Sequence, residues 1–279
     1  MTGQKESSHA PVATASHRSV EEILDSLAET CSSLEDLLES LQPAEWHIPT
    51  GCPGWDVQDV VSHIIGLEDQ LAGLPDPDHT LPEGMDHLVD DLRRLEIQVD
   101  FRRGLPPEEL VRQFHAATKR GLEIRRASDR AAEDITEGPF GWRMPYWRLL
   151  SIRTFDCFAH EQDVRRALGR PGNLDGQAAA VVGDLLAEML PGVVARRVEE
   201  LTTQRVIIET VTGADGRARR IEIGGVAGGG MQAVTTAAIP FADLLAFACG
   251  RADASDDRVS VVGDAGLVAR VLGSMGFTP

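Results

Sequence analysis

The sequence has no closely spaced pair of cysteines. Its four cysteines are dispersed through 279 residues, which excludes a zinc ribbon or a CxxC redox centre and indicates reduced thiols. No apolar segment approaches the roughly 20 residues that span a bilayer. Residues 1–17 lack the apolar run of a signal peptide and are expected to form a disordered tail. We therefore predict a cytoplasmic protein without a membrane-spanning segment.

Basic residues are scarce relative to acidic ones. The chain has 27 lysines and arginines against 44 aspartates and glutamates, a formal net charge of −17 at pH 7. A surface of this sign repels phosphate backbones and anionic membranes, and the arginine pairs are scattered rather than gathered in a patch. We therefore expect no nucleic-acid partner and no binding to a membrane surface. The 42% of hydrophobic residues suffices for a sizeable core without disulfides.

Helical periodicity dominates the first 170 residues. Apolar side chains recur at three- and four-residue steps from Val20 to Leu41, the pattern of a core-facing helix. Asp56 is predicted to cap the next helix, and Gly169 to end the last one. We therefore predict a helical bundle over residues 18–170. Its further helices are expected at 57–71, 85–102, 107–126 and 145–168.

The periodicity changes after residue 172. A helical region over 175–200, interrupted at Pro191 and Gly192, precedes three segments with the two-residue alternation of strands, QRVIIETV, ARRIEIGG and MQAVTTAA. We expect these to be short antiparallel strands, with GADG as a hairpin turn. The sequence thus predicts an α+β fold, in which a smaller α+β domain with a mainly antiparallel sheet occupies residues 171–279. Its last elements are expected at 240–249 (helix), 258–262 (strand) and 264–274 (helix).

Asp156 and His160 stand four residues apart in the predicted helix over 145–168. Side chains at this spacing share a helix face, with Cβ atoms about 5–6 Å apart, so both can reach one ion. Apolar neighbours turn this face partly inward, where an unpaired carboxylate is costly. Taken alone, the pair is also explained by an intrahelical Asp–His hydrogen bond, or by pairing of Asp156 with Arg153.

His63 is a candidate third ligand, because it lies among valines and isoleucines in DVVSHIIGLE. A histidine on an apolar face is also explained as an ordinary core residue. With Asp156 and His160, however, it would form the three-ligand set of an open catalytic zinc site, which also suits nickel, iron or manganese. A closed structural site needs a fourth ligand, and neither Cys52 nor Cys157 is expected to serve. The other six histidines are expected at the surface.

Two segments, PTGCPGWDVQDVVSHIIGLE (49–68) and RTFDCFAHEQDVRRALGRPG (153–172), resemble the mycothiol-dependent maleylpyruvate isomerase family. The resemblance covers most of the chain. It implies a DinB-like four-helix bundle, followed by a C-terminal domain akin to sterol-carrier-protein folds. It also implies a divalent metal, usually zinc, held by His63, Asp156 and His160, and mycothiol as cosubstrate. The isomerase carries glutamate where this chain has Asp156, whose side chain is one methylene shorter.

Arg251, in the segment AFACGR, matches an arginine associated with the catalytic function of the isomerase. We therefore take Arg251 as a candidate catalytic residue above the cleft between the two domains. Its sequence position is equally typical of an arginine that stabilises the carboxyl end of a helix through the macrodipole.

The resemblance implies a mycothiol-dependent metalloenzyme. In such an enzyme the metal would activate the thiol, because a thiol bound to zinc is deprotonated near neutral pH. Our first expectation is an S-transferase or thiol-exchange enzyme that acts on a small electrophilic metabolite through the metal-bound thiolate, since the family is broad. The second is a cis–trans isomerase of the maleylpyruvate isomerase type. The third is a protein without catalysis, whose C-terminal domain binds an apolar ligand.

Overall fold

The computed structural model describes residues 18–82, 90–138, 141–212, 216–225, 234–251 and 255–278. Within these ranges, the first part of the chain is helical, and the predicted helices are confirmed to within a few residues at most ends. The predicted start of the third helix at residue 85 lies outside the described residues. The helices are α1 (Val20–Glu39), α2 (Val57–Leu71), α3 (Asp90–Arg102), α4 (Pro107–Arg126) and α5 (Tyr146–Ala167).

Side chains at the helix ends explain where α1 and α2 begin. Ser19 caps α1, and its hydroxyl accepts a hydrogen bond from the backbone N–H of Glu22. Asp56 caps α2 in the same way through Asp59 N–H, at 2.9 Å, as predicted. Each cap satisfies an N–H group that the helix leaves unpaired, and such caps contribute about 1 kcal/mol.

Helices α1, α2, α4 and α5 form the predicted four-helix bundle, and α3 packs against α2. Fully buried side chains such as Leu34, Ile64 and Phe114 fill its core. Burying a side chain of this size contributes about 1.5–3 kcal/mol. Because His63 lies one residue before Ile64, the same periodicity that buries Ile64 and Val60 carries the histidine into the bundle.

The segment between α4 and α5, predicted as a loop, contains a short hairpin. Strand β1 (Ile135–Glu137) pairs antiparallel with β2 (Arg143–Pro145), and α5 follows directly. Three-residue strands carry too little periodicity to be recognised in the sequence.

Helix α6 (Gln177–Val194) corrects the prediction that Pro191 and Gly192 interrupt this region. Proline lacks one backbone donor, but Pro191 lies in the last turn, and the burial of Leu190 and Val194 favours continuation of the helix.

Among the described residues, α6 is the one helix long and apolar enough to cross a membrane. It packs against α5 and the sheet as a core helix.

The sheet has the strand order β4-β3-β5-β6, with strands β3 (Arg205–Thr212), β4 (Arg217–Gly224), β5 (Val234–Ala238) and β6 (Ser260–Val262). The predicted antiparallel pairing is confirmed for β3 with β4 and for β5 with β6. It is wrong for β3 and β5, which are parallel. Strand direction still alternates along the chain, but β5 lies beside β3 rather than beside β4. The predicted turn GADG falls largely outside the described residues.

Helices α7 (Phe241–Ala248) and α8 (Ala265–Gly273) pack with α6 and the sheet around a second core. Phe155 and Phe158 of α5 also belong to this core. One face of α5 therefore lies in the bundle and another lies against the C-terminal elements. The division into domains at residues 170 and 171 stays a prediction.

Candidate metal centre

Two helices bring the three predicted ligands together inside the bundle. His63 lies in the middle of α2, and Asp156 and His160 lie on consecutive turns of α5. Nε2 of His63 is 3.6 Å from Oδ1 of Asp156, and Nε2 of His160 is 3.7 Å from the same oxygen. The two imidazole rings stand edge to face, with centroids 4.8 Å apart. One carboxylate oxygen therefore faces one nitrogen of each histidine.

These separations suit one divalent ion. Zinc binds imidazole nitrogen and carboxylate oxygen at about 2.0–2.2 Å, so two ligand atoms of a tetrahedral zinc lie about 3.3–3.6 Å apart. The observed 3.6 and 3.7 Å are at or just beyond that range. Two neutral imidazoles and one carboxylate are also acceptable ligands for nickel, iron or manganese. The residues present therefore fit the metal that the sequence resemblance implies.

The two oxygens of Asp156 have different partners. Oδ2 accepts a hydrogen bond from Nη1 of Arg153, whereas Oδ1 faces the histidines. The pairing of Asp156 with Arg153, which the sequence offered as an alternative to a metal site, is therefore observed, and it coexists with the approach of Asp156 to both histidines. Burial disfavours the charged carboxylate, but the charge of Arg153 and the nearby His63 outweigh burial and lower the pKa of Asp156. Asp156 therefore presents an ionised oxygen to both histidines.

A buried ion-pair network holds Arg153. Its Nε donates to Oε1 of Glu68 at 2.6 Å, and Glu68 also accepts from Nη1 of Arg125 at 2.8 Å. Burial opposes ionisation of Glu68, but the two arginines outweigh it and lower the pKa of this carboxyl. Gly121 leaves the space that the network needs, since a Cβ there would lie 1.9 Å from Oε2 of Glu68. The network thus ties Asp156 to α2 and α4.

His63 is a buried, neutral imidazole. Its side chain is only 7% exposed, and burial lowers its pKa despite the neighbouring Asp156. Its Nδ1 is buried without a hydrogen-bond partner among the described residues. Neutral imidazole is the form of histidine that binds metals.

Asp163 orients His160 from the opposite side of the ring. Nδ1 of His160 lies 3.1 Å from Oδ2 of Asp163. Burial would raise the pKa of Asp163, but the hydrogen bond from His160 and the charge of Arg251 lower it to about 2. Because an ionised carboxylate only accepts, Nδ1 is the donor, and in the Nδ1–H tautomer the lone pair lies on Nε2, which faces Asp156. Carboxylates orient metal-binding histidines in this way.

Arg251, the candidate catalytic arginine, is buried beside Asp163. Its Nε donates to Oδ1 of Asp163 at 2.8 Å, and its Nη1 donates to the carbonyl of Cys249 at 2.9 Å. It follows the carboxyl end of α7, where the macrodipole favours a positive charge. The structure therefore joins Arg251 to His160 through Asp163. The catalytic role of Arg251 stays a prediction.

Sequence reasoning missed that Cys52 and Asp163 adjoin His160. Sγ of Cys52 lies 3.1 Å from Oδ2 of Asp163 and 3.8 Å from Nδ1 of His160. Burial and the charge of Asp163 raise the pKa of the Cys52 thiol, which therefore stays protonated and donates to Asp163. Since Arg251 occupies the other oxygen of Asp163, we interpret this group as a hydrogen-bonded cluster rather than a second metal site. The spacing of three residues between His160 and Asp163 could have predicted their contact, because residues at this spacing are neighbours on a helix surface.

Trp55 covers the two histidines. Its ring centroid lies 5.1 Å from that of His63 and 6.2 Å from that of His160, and its Nε1 donates to Glu96 of α3 at 3.4 Å. Trp55 and Cys52 belong to one turn before α2, which therefore supplies two residues to the site. Asp156, at 25%, has the most exposed side chain of the three candidate ligands, so solvent reaches the site on its side.

The other described histidines have carboxylate partners elsewhere. His47 pairs with Asp56, His79 with Asp100 and His115 with Glu35. The side chains of His47 and His115 are exposed as predicted, and that of His79 is half-buried. His9, His17 and His87 lie outside the described residues. Cys157 is buried in the bundle core, as predicted.

Comparison with known proteins agrees with this architecture. Residues 27–165, which contain all three candidate ligands, match the mycothiol maleylpyruvate isomerase N-terminal domain. The solved mycothiol-dependent maleylpyruvate isomerase is similar over 88% of this chain and 94% of its own, with a TM-score of 0.58 and 16% identity. The structure of a mutant of that enzyme is similar over the same shares of the two chains, with a TM-score of 0.59 and 15% sequence identity. At such identity the similarity establishes the fold.

Among curated proteins, no sequence matches the chain significantly. The assignment therefore depends on the matched N-terminal segment and on the fold that both halves share with the solved isomerase. Residues 27–165 belong to the mycothiol maleylpyruvate isomerase N-terminal domain family, and the chain as a whole has the fold of the solved mycothiol-dependent isomerase.

Proposed function

We propose that this protein is a mycothiol-dependent metalloenzyme, an S-transferase or thiol-exchange enzyme that acts on a small electrophilic metabolite. The observation that carries the proposal is the single oxygen of Asp156 facing Nε2 of both His63 and His160. The match of residues 27–165 to a domain family named for a mycothiol enzyme supports the choice of thiol.

His63, Asp156 and His160 would hold one divalent ion, with zinc as the first candidate. A bound zinc ion supplies Lewis acidity that deprotonates a thiol near neutral pH. Three protein ligands are the number typical of catalytic sites, which keep a position for a water molecule or a substrate.

The chain itself orients and shields this chemistry. Asp163 fixes the ring of His160, and Arg153 holds the oxygen of Asp156 that faces away from the histidines. The ring of Trp55 lies beside both imidazoles. The thiol and the electrophile would enter on the exposed side of Asp156.

In the transferase reaction, the thiol loses its proton to solvent, and its sulfur forms a bond to the electrophilic carbon. The leaving group departs with the electron pair of the bond that breaks. In thiol exchange, the leaving group is itself a thiolate, which takes up a proton from solvent. Neither reaction needs an oxidant or a reductant.

The second candidate is a cis–trans isomerase, which is favoured by the similarity of fold to maleylpyruvate isomerase over 88% of the chain. Here the sulfur adds to a conjugated cis double bond, the resulting single bond rotates, and elimination of the sulfur leaves the trans isomer. The thiol is regenerated, so mycothiol is not consumed.

Consumption of mycothiol therefore separates the two candidates. We would incubate the zinc-loaded protein and mycothiol with maleylpyruvate in one assay and with monobromobimane, a generic electrophile, in another. The proposal predicts consumption of mycothiol and an S-conjugate of bimane, formed faster than without protein. Turnover of maleylpyruvate without loss of mycothiol would favour the isomerase, and turnover of neither would argue against both.

A further inference from the structure

The pair of Arg251 and Asp163 joins the C-terminal elements to the bundle in the immediate surroundings of His160. The two side chains are 4% and 3% exposed. Removing charges from water is costly unless their hydrogen-bonding atoms have partners. Asp163 meets this condition, because Oδ1 accepts from Arg251 and Oδ2 accepts from Nδ1 of His160 and from Sγ of Cys52.

Arg251 is itself held by the carboxyl end of α7. Its Nη1 donates to the carbonyl of Cys249, which also accepts from the hydroxyl of Thr278 at 2.8 Å. A continuous series of contacts therefore runs from α7 through Arg251 and Asp163 to the ring of His160. The tautomer of His160 depends on the last of these contacts, because only a carboxylate-bound Nδ1–H leaves Nε2 as the acceptor.

We propose that Arg251 and Asp163 are positioning residues, through which the C-terminal half of the chain sets the metal affinity of the bundle. Arg251 fixes the carboxylate of Asp163, and Asp163 fixes the orientation and tautomer of His160. The inference rests on the metal centre of the proposed function. It differs from a catalytic role for Arg251, in which the guanidinium would contact the substrate.

Zinc binding in the absence of thiol and substrate distinguishes the two roles. A positioning residue alters it, whereas a residue that contacts only substrate does not. We would measure zinc affinity by competition with a chromophoric chelator in the wild type and in Asp163→Asn, Arg251→Met and Arg251→Lys. The matched control is Asp243→Asn, which changes another buried aspartate that is paired with an arginine, Arg258.

Loss of a residue that orients a metal ligand typically weakens metal binding about 10–100-fold. We expect a loss of this size in Asp163→Asn and in Arg251→Met. Arg251→Lys, which keeps a cation beside Asp163, should recover most of the affinity, and Asp243→Asn should bind like the wild type. Wild-type affinity in folded Asp163→Asn and Arg251→Met would overturn the proposal.

A variant with one unpaired buried charge is prone to unfold, so the double variant Asp163→Asn/Arg251→Met, which removes both charges, is included. It should show the same loss of affinity. Long-range ¹H–¹⁵N spectra of the metal-free proteins add a readout that general destabilisation does not move. The Nδ1–H tautomer of His160 should predominate in the wild type and in Asp243→Asn, and should lose that predominance in Asp163→Asn.

The result for the wild type separates this inference from the function on which it rests. A wild type that binds no zinc would overturn the metal centre and the positioning roles together. Zinc binding that is weakened in the variants, but without any mycothiol chemistry in the wild type, would overturn the catalytic proposal and leave the positioning roles standing.

Discussion

Nε2 of His63 on α2 lies 3.6 Å from Oδ1 of Asp156 on α5. Each residue is a polar group on a largely apolar helix face, and each alone would be costly to bury. Their juxtaposition joins two helices that are distant in sequence. It also creates, together with His160, the one place in the described bundle where two imidazoles and a carboxylate converge.

Breaking the buried ion pair between Glu68 and Arg153 should destabilise the protein strongly. We expect Glu68→Gln to lower the free energy of unfolding by about 3–5 kcal/mol at pH 7, because it removes the buried carboxylate with which both Arg153 and Arg125 pair. The exposed pair of Asp25 and Arg126 provides the control, and Asp25→Asn should cost less than about 1 kcal/mol. Urea unfolding of the metal-free wild type and variants measures both changes in the free energy of unfolding.

The effect of Glu68→Gln should depend on pH. The folded-state pKa of Glu68 lies below its ordinary 4.5, so the unfolded chain binds more protons at acidic pH. The stabilisation by the carboxylate is therefore complete above about pH 4.5 and is lost as the pH falls below it. The difference between wild type and Glu68→Gln should shrink on acidification. A difference that stays constant down to pH 3 would contradict this account of Glu68.

Gly66 lets α3 approach α2 one turn beyond His63. A Cβ at this position would lie 2.4 Å from Cβ of Gln98. We expect Gly66→Ala to destabilise the protein by about 1–3 kcal/mol, despite the better helix propensity of alanine, because the two helices must separate. Gly192→Ala is the control, since no atom lies within 4 Å of a Cβ there and the substitution should be neutral or stabilising. Equal thermal unfolding of the two variants would refute the close contact.

Local sequence patterns predicted the helices of the bundle, and together with the family resemblance they predicted its candidate ligands. Helical periodicity placed His63 among buried residues of α2, and a spacing of four residues placed Asp156 and His160 on one face of α5. Cap chemistry predicted Asp56 at the start of α2, as observed. These features depend on contacts within one or two turns, and a single sequence records such contacts directly.

Contacts between distant segments could not be predicted in this way. Cys52 and Asp163 are 111 residues apart, and Asp163 and Arg251 are 88 apart, so no local period relates them. The parallel pairing of β3 with β5 likewise depends on which strand becomes the neighbour of β3, and the alternation within each strand does not specify this. Tertiary packing between distant segments decides these relationships.

The choice of thiol gives a further prediction. If mycothiol binds the native protein, it should raise the melting temperature, by the equivalent of about 2.7 kcal/mol at a concentration 100 times its Kd. Glutathione at the same concentration should have a much smaller effect. Differential scanning fluorimetry of the zinc-loaded protein measures both, with His63→Ala as a control in which the shift is lost. An equal response to the two thiols would undo the proposed selectivity.

The proposed function requires that His63, Asp156 and His160 hold one divalent ion, and elemental analysis measures this ion. The protein is purified without added metal, alongside His63→Ala and the control His115→Ala, which removes an exposed histidine paired with Glu35. We expect about one divalent ion per chain in the wild type and in His115→Ala, and a large loss in His63→Ala. Metal retained by His63→Ala at the wild-type level, or absent from a wild type dialysed against zinc, would contradict this expectation.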